Sequence, residues 1–231
     1  MMGSSIKVDL VFSQDKKQKE VRFPPNSRWV DLNTMEPIIA PAGGKYFSIM
    51  VDAGVSNPVN MFQKSSTIVT LQDAKTYEVR KVQDLLNIPL QLSVALDELN
   101  QASGYVTVEQ YSSNSWSVDT YSMSTSDGMT FNFALVGDKN ITVNSSNMTQ
   151  IEKITVSYVK SPVNAACALL TDGSAMFLYV STYNYSTRQQ ITIMPPYVPE
   201  PDQPAQLDIK KLAKIVFGTA GPGQERTLCK K

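Results

Sequence analysis

AACALLTDGSAMFLYVST, residues 165–182, decides the fold class. Two short apolar runs, Ala165–Leu170 and Ala175–Thr182, flank Asp172-Gly173. An Asp-Gly pair supplies the positive φ angles that a tight hairpin turn requires. The same grammar recurs outward from this hairpin. Ile6–Phe12 alternates, with Ile6, Val8, Leu10 and Phe12 on one face and Lys7 and Asp9 on the other. Tyr46–Val51, Thr67–Leu71, Thr76–Val82, Tyr105–Tyr111, Ser115–Met123, Met129–Val136, Ile151–Val159 and Gln189–Met194 read as further strands. Gly43-Gly44 precedes one of them and Asp127-Gly128 separates two. Strands at this spacing, with few helical intervals, predict an all-β sandwich or barrel.

Two segments read differently. LLNIPLQLSVALDELNQA, residues 85–102, places Leu92, Leu96 and Leu99 at helical spacing, with Ala95 on the same face. Ser93 suits an N-cap and Ser103-Gly104 a stop, which predicts one short helix over 93–101. Pro195, Pro196, Pro199, Pro201 and Pro204 put five prolines in ten residues, an extended semi-rigid strap. After it, LDIKKLAKIVF (207–217) sets Ile209, Leu212, Ala213 and Val216 on one helical face, with Asp208 as a cap. The chain therefore divides into a β domain, residues 1–194, and a strap with a basic arm, residues 195–231. Residues 205–231 hold six Lys+Arg and two Asp+Glu, leaving 15 and 19 on residues 1–204, so the net charge of zero is +4 on the arm and −4 on the body.

Composition excludes much. With no His, there is no Ser-His-Asp or Cys-His catalysis and no His-ligated zinc or haem. Nothing at the N-terminus resembles a signal peptide, and no apolar run approaches the length of a transmembrane span, so the expected origin is a reducing compartment. Cys167, inside AACALL, reads as a small core residue and Cys229 as a tail thiol beside Lys230 and Lys231; whether they pair is left open. N-x-[S/T] sequons stand at Asn140, Asn144, Asn147 and Asn184, where composition predicts roughly two by chance; polar β-loops are the plainer reading.

The search for chemistry returns no catalytic, cofactor or metal residues. Gly43-Gly44 and Gly218–Gly223 match neither nucleotide-binding glycine pattern. Asp119, Asp127 and Asp138 read as scattered turn residues rather than a calcium loop. Paired carboxylates would serve glycoside hydrolysis without His, and Glu20, Glu36, Asp52, Glu109, Asp119 and Asp97-Glu98 are the candidates. Trp29 and Trp116 are too far apart in sequence to suggest a sugar platform. Ser13-Gln-Asp-Lys16 matches SxxK by letters but follows a strand rather than opening a helix. Phe131/Phe133 and Phe177/Tyr179 have the spacing of core pairs, whereas Tyr183, Tyr185 and Tyr197 suit an interface. The basic arm contains no nucleic-acid motif, and its membrane attraction is weak at four net charges.

The order of these features resembles a known architecture. It runs from Leu10–Asp15 through Glu36–Ala40, Tyr46–Val51 and the Ser56–Asn60 turn. A short helix ending at Leu99-Asn100, the hairpin Tyr105–Val108 with Ser115–Val118, and Met129–Leu135 follow. Over roughly residues 5–195 this pattern is similar to the penton and minor capsid single jelly rolls of large double-stranded DNA viruses. The resemblance implies a virion subunit made in the host cytoplasm, not an enzyme, that closes homopentamers and meets neighbouring capsid proteins. The arm residues Leu207, Ile209, Leu212, Ile215, Val216 and Phe217 are then expected at an inter-subunit contact. The alternative is a carbohydrate- or receptor-binding β-sandwich module (an adhesin or spike), favoured if Trp29 or Trp116 lies exposed beside carboxamides; a hydrolase on a β scaffold ranks third.

Overall fold

The computed structural model describes residues 4–10, 17–52, 59–74, 76–81, 84–85, 88–112, 115–136, 150–185, 188–194, 207–221, 224 and 228–229, with the backbone alone at 108–112, 115–118, 183–185 and 188–189. The chain splits into two compact units, residues 1–67 and 68–231.

The first unit is a small sandwich. One sheet runs β1 (Ile6–Leu10), β6 (Val59–Lys64), β3 (Ser27–Asp31), β4 (Pro37–Ala40), and the other pairs β2 (Gln18–Phe23) with β5 (Phe47–Asp52). β2 shows why. Val21 and Phe23 are fully buried, while Glu20 and Arg22 face solvent and pair at 3.0 Å. Phe23 meets Phe62 edge-on at 5.1 Å and Trp29 at 5.5 Å, and Ala40 and Val51 complete the core between the sheets. Burying rings of this size contributes about 1.5–3 kcal/mol each.

The second unit is a closed barrel. Its strands are β7 (Thr67–Leu71), β8 (Leu90–Ala95), β9 (Ala102–Ser112), β10 (Ser115–Thr125), β11 (Thr130–Leu135), β12 (Gln150–Val159), β13 (Ala165–Leu170), β14 (Ala175–Tyr185), β15 (Arg188–Met194), β16 (Leu207–Asp208) and β17 (Leu212–Gly218). The order is β15-β14-β13-β17-β11-β10-β9-β7-β8-β12-β16, and β15 also pairs with β12, closing a ring of ten strands with β16 attached to β12. The Asp127-Gly128 and Asp172-Gly173 turns join β10 to β11 and β13 to β14, with Gly128 at φ 70° and Gly173 at φ 85°. All-β class therefore stands, but as a barrel and a small sandwich rather than one jelly roll.

Neither expected helix exists; among the described residues there is no α-helix. Residues 90–95 form β8, parallel to β12, with Leu90, Leu92, Ser93, Val94 and Ala95 all buried. A strand covered on both faces reads as a continuous apolar run, which mimics a helical stripe. Leu99, expected on the buried face, is 71% exposed, because Asp97 turns the chain by accepting hydrogen bonds from the Leu99 and Gln101 N–H groups. Residues 207–217 are likewise β16, a 3₁₀ turn at Ile209–Lys211 and β17. Asp208 does cap that turn, its carboxylate accepting from Lys210 N–H at 3.0 Å. Insertion between β13 and β11 overrides the helical spacing. Thr76 begins a turn rather than a strand, its N–H and hydroxyl both donating to Asp73. The Pro-rich segment 195–206 lies outside the described residues.

Candidate functional site

A cleft of about 280 Å³ opens at one end of the sandwich, where β3 and β5 end and β4 and β6 begin. Its walls carry Asp31, Asn33, Thr34, Glu36, Asp52 and Asn60, with Ile38 and Ile49 as apolar surface. The local sequence Asp31-Leu-Asn33-Thr34 builds the floor. One Asp31 oxygen accepts from Asn33 N–H at 2.8 Å and Thr34 N–H at 3.4 Å, a turn that Asp favours. Asn60 is buried, donates to the Asp52 carbonyl at 3.3 Å, and accepts from the Asn33 amide at 3.4 Å. Three carboxylates and two carboxamides thus ring an opening walled by two isoleucines. That chemistry suits a neutral polyhydroxylated ligand, whose vicinal hydroxyls donate to carboxylates and whose C–H faces rest on aliphatic surface. Among the described residues no group of three His, Cys, Asp or Glu side chains is arranged to hold a metal ion.

The structure distributes the expected carboxylates widely. Glu36 and Asp52 meet in the cleft. Glu20 lies exposed on β2, held below its ordinary pKa by a hydrogen bond from Ser48 and then by Arg22. Asp119 is not a turn residue; it is buried on β10. There it and Asp208 face Tyr121, whose phenol is pushed up to about 12, first by burial and then by those two charges. Asp97 holds a turn, as above. The Glu109 and Trp116 side chains, Ser13, Lys16, Asp138, Tyr197, the sequons at 140, 144 and 147, and the side chains of Tyr183, Asn184 and Tyr185 lie outside the described residues. Trp29 is core, 3% exposed, and so forms no sugar platform. Phe131 and Phe133 are core as expected, but Tyr179 is 53% exposed, its ring against Phe177 at 5.9 Å. Asp31, Asn33, Thr34 and Asn60 escaped sequence reasoning; the Asx-turn spelling of residues 31–34 was the available signal.

The residues expected at an inter-subunit contact are packed inside this chain. Leu207, Ile209, Leu212, Ile215 and Phe217 are each 3% exposed or less, and Val216 is half-buried. Cys167 and Cys229 form a disulfide. Among the described residues no helix is long and apolar enough to cross a membrane.

No family model and no curated protein matches the chain. Solved structures do. The chain is similar to the glucosidase II alpha subunit in its Tris-bound form, at TM-score 0.67 and 15% identity, over 92% of this chain and 22% of that one. The Glc1Man2-bound form matches at TM-score 0.66 and 16% identity, over 92% and 23%. A GH31 alpha-xylosidase from Xanthomonas citri matches more loosely, at TM-score 0.45 and 14% identity, over 85% and 19%. This chain spans about a fifth of the length of the solved chains it matches. At such identities the likeness establishes the fold, a β region found within a glucosidase chain. It overturns the capsid resemblance, and with it the penton and virion subunit it implied. The reading as a non-enzymatic subunit is corrected too, since the chains matched at TM-scores of 0.67 and 0.66 are named as a glucosidase subunit. Short strands joined by polar turns are common to both architectures, which is why pattern alone misled.

Proposed function

We propose that the chain is a β region of a carbohydrate-processing protein, built like that of the glucosidase II alpha subunit, and that the sandwich cleft contacts a neutral sugar. The match over 92% of the chain carries this reading, because coverage so high draws on both units. The cleft supports it independently through its carboxylates, carboxamides and aliphatic walls. Its volume has room for a single sugar ring. Asp52 and Glu36 accept from ring hydroxyls, the Asn33 amide group reads a further oxygen, and Ile38 and Ile49 take the C–H face.

The test is an amide NMR titration of the whole protein with methyl α-glucoside and maltose. Shifts should concentrate at Asn33, Thr34, Asp52 and Asn60, and Asp52→Asn should weaken binding about tenfold, the loss of one charge-assisted hydrogen bond. Absence of binding to either sugar, or to a wider glycan panel, sinks the reading.

A further inference from the structure

The outer face of the barrel is covered where β13 and β17 run side by side. Cross-strand partners share a face, so the register Cys167↔Val216 and Ala165↔Gly218 sets these four residues together. On the opposite face, Ala166 and Ala168 oppose Phe217 and Ile215, all buried in the barrel interior. Phe177, opposite Cys167, and Tyr179, one alternation on, extend the outer patch. Cys167 and Ala165 nevertheless have 0% exposure. Residues 228–229 account for it: Cys229 is bonded to Cys167, with their Cα atoms 5.4 Å apart. A Cβ on Gly218 would stand 3.1 Å from the Leu228 side chain, so Leu228 lies directly on that glycine.

β17 has its own anchors beneath this cover. It pairs with β13 and β11, Thr219 donates to the Pro162 carbonyl at 2.6 Å, and Asn164 exchanges two hydrogen bonds with the Ala220 backbone. The last strand is thus fastened separately from Leu228 and Cys229, which lie over it.

We propose that Cys167–Cys229 is a thiol-responsive clasp, whose reduction by a dithiol lifts Leu228 and Cys229 off the barrel and bares the apolar patch of Ala165, Cys167, Phe177 and Val216 while β17 stays in place. Cys229 is half-buried and Cys167 fully buried, so Cys229 Sγ is the sulfur a thiolate reaches. Attack there forms a mixed disulfide with Cys229 and expels Cys167 as a thiolate, which takes a proton from water. The second thiol of the dithiol then attacks its own sulfur in the mixed disulfide, releasing Cys229 as a thiol and leaving the reductant oxidised by two electrons. The inference does not depend on the carbohydrate reading.

Hydrogen exchange of the whole protein, followed by mass spectrometry with and without dithiothreitol, tests it. The expected result is loss of protection at least tenfold in peptides that report on Leu228 and Cys229, with peptides covering 212–218 unchanged. Cys229→Ser should reproduce this without reductant. Gly218→Ala should loosen Leu228 while the disulfide remains. Three results overturn the proposal: tail protection unchanged by reductant and by C229S, loss of protection throughout the barrel together with the tail, or a disulfide that resists dithiothreitol until the protein is unfolded.

Discussion

Asn164 and Ala220, 56 residues apart in sequence, are joined like paired strands: the Ala220 N–H donates to Asn164 Oδ1 at 2.8 Å and Asn164 Nδ2 donates to the Ala220 carbonyl at 2.9 Å. The side chain imitates a backbone amide and carries the β13–β17 ladder one rung past Gly218. Asn164→Ala should therefore cost about 1–2 kcal/mol, two solvent-accessible hydrogen bonds. Asn164→Asp should cost at least as much, because it trades a donor for a carboxylate facing a carbonyl oxygen. Urea unfolding of the three proteins decides it; an aspartate variant as stable as the parent contradicts the paired geometry.

Gly104 has no room for a side chain. A Cβ there would fall 2.2 Å from the Ile68 carbonyl oxygen and 2.9 Å from Ile68 Cβ, in the neighbouring strand β7. Backbone is the obstacle, so β7 and β9 must part. Gly104→Ala is predicted to lose about 3 kcal/mol, the upper end of overpacking costs. Thermal unfolding beside Ser103→Ala as a neighbouring control would show it, and near-equal midpoints would count against the close approach.

Asp127 ties the β10–β11 turn. One carboxylate oxygen accepts from Met129 N–H at 2.8 Å and Thr130 N–H at 2.7 Å. Burial alone would raise its pKa, but these bonds, with those from the Thr130 and Thr125 side chains, outweigh it and hold the carboxyl below the ordinary aspartate value. A depressed folded-state pKa contributes stability that is complete above the unfolded-state value and is lost as pH falls through the folded one. The melting-temperature gap between the parent and Asp127→Asn should then be flat from pH 7 to about 5 and close below the carboxyl's ordinary range. A gap that persists unchanged at about pH 2 would exclude the linkage.

Phe23 holds the sandwich core. It is fully buried and packs against both Phe62 and Trp29. Phe23→Ala should destabilise the first unit by about 3–5 kcal/mol. Trp29 reports on it, since its indole N–H donates to Ser27 Oγ at 2.8 Å within the same core. Denaturant-induced change in tryptophan emission should move to lower concentration; an unmoved transition would mean that the core closes around the cavity.

What could be read from sequence was whatever is local. The Asp127-Gly128 and Asp172-Gly173 hairpins are written in the turn residues themselves, so β10, β11, β13 and β14 are found where expected. β8 and β17 were missed for one shared reason. Each owes its conformation to strands far away in sequence, β12 for the one and β11 and β13 for the other, and each presents apolar residues at a spacing that a helix also satisfies. The cleft follows the same rule. Glu36 and Asp52 are visible as carboxylates, but only the stacking of two sheets brings them together, with Asn60 from a third strand closing the floor.

β17 sits between β11 and β13 yet follows both, and β14 and β15 as well, in the chain. During synthesis the ribosome therefore delivers the two flanking strands before the one that joins them. Until it arrives, β11 and β13 each present a bare edge of unpaired N–H and C=O groups, the template on which foreign strands add. Barrel closure must wait for this late strand, and the nascent chain is most in need of a chaperone in the interval between the emergence of Leu170 and that of Gly218.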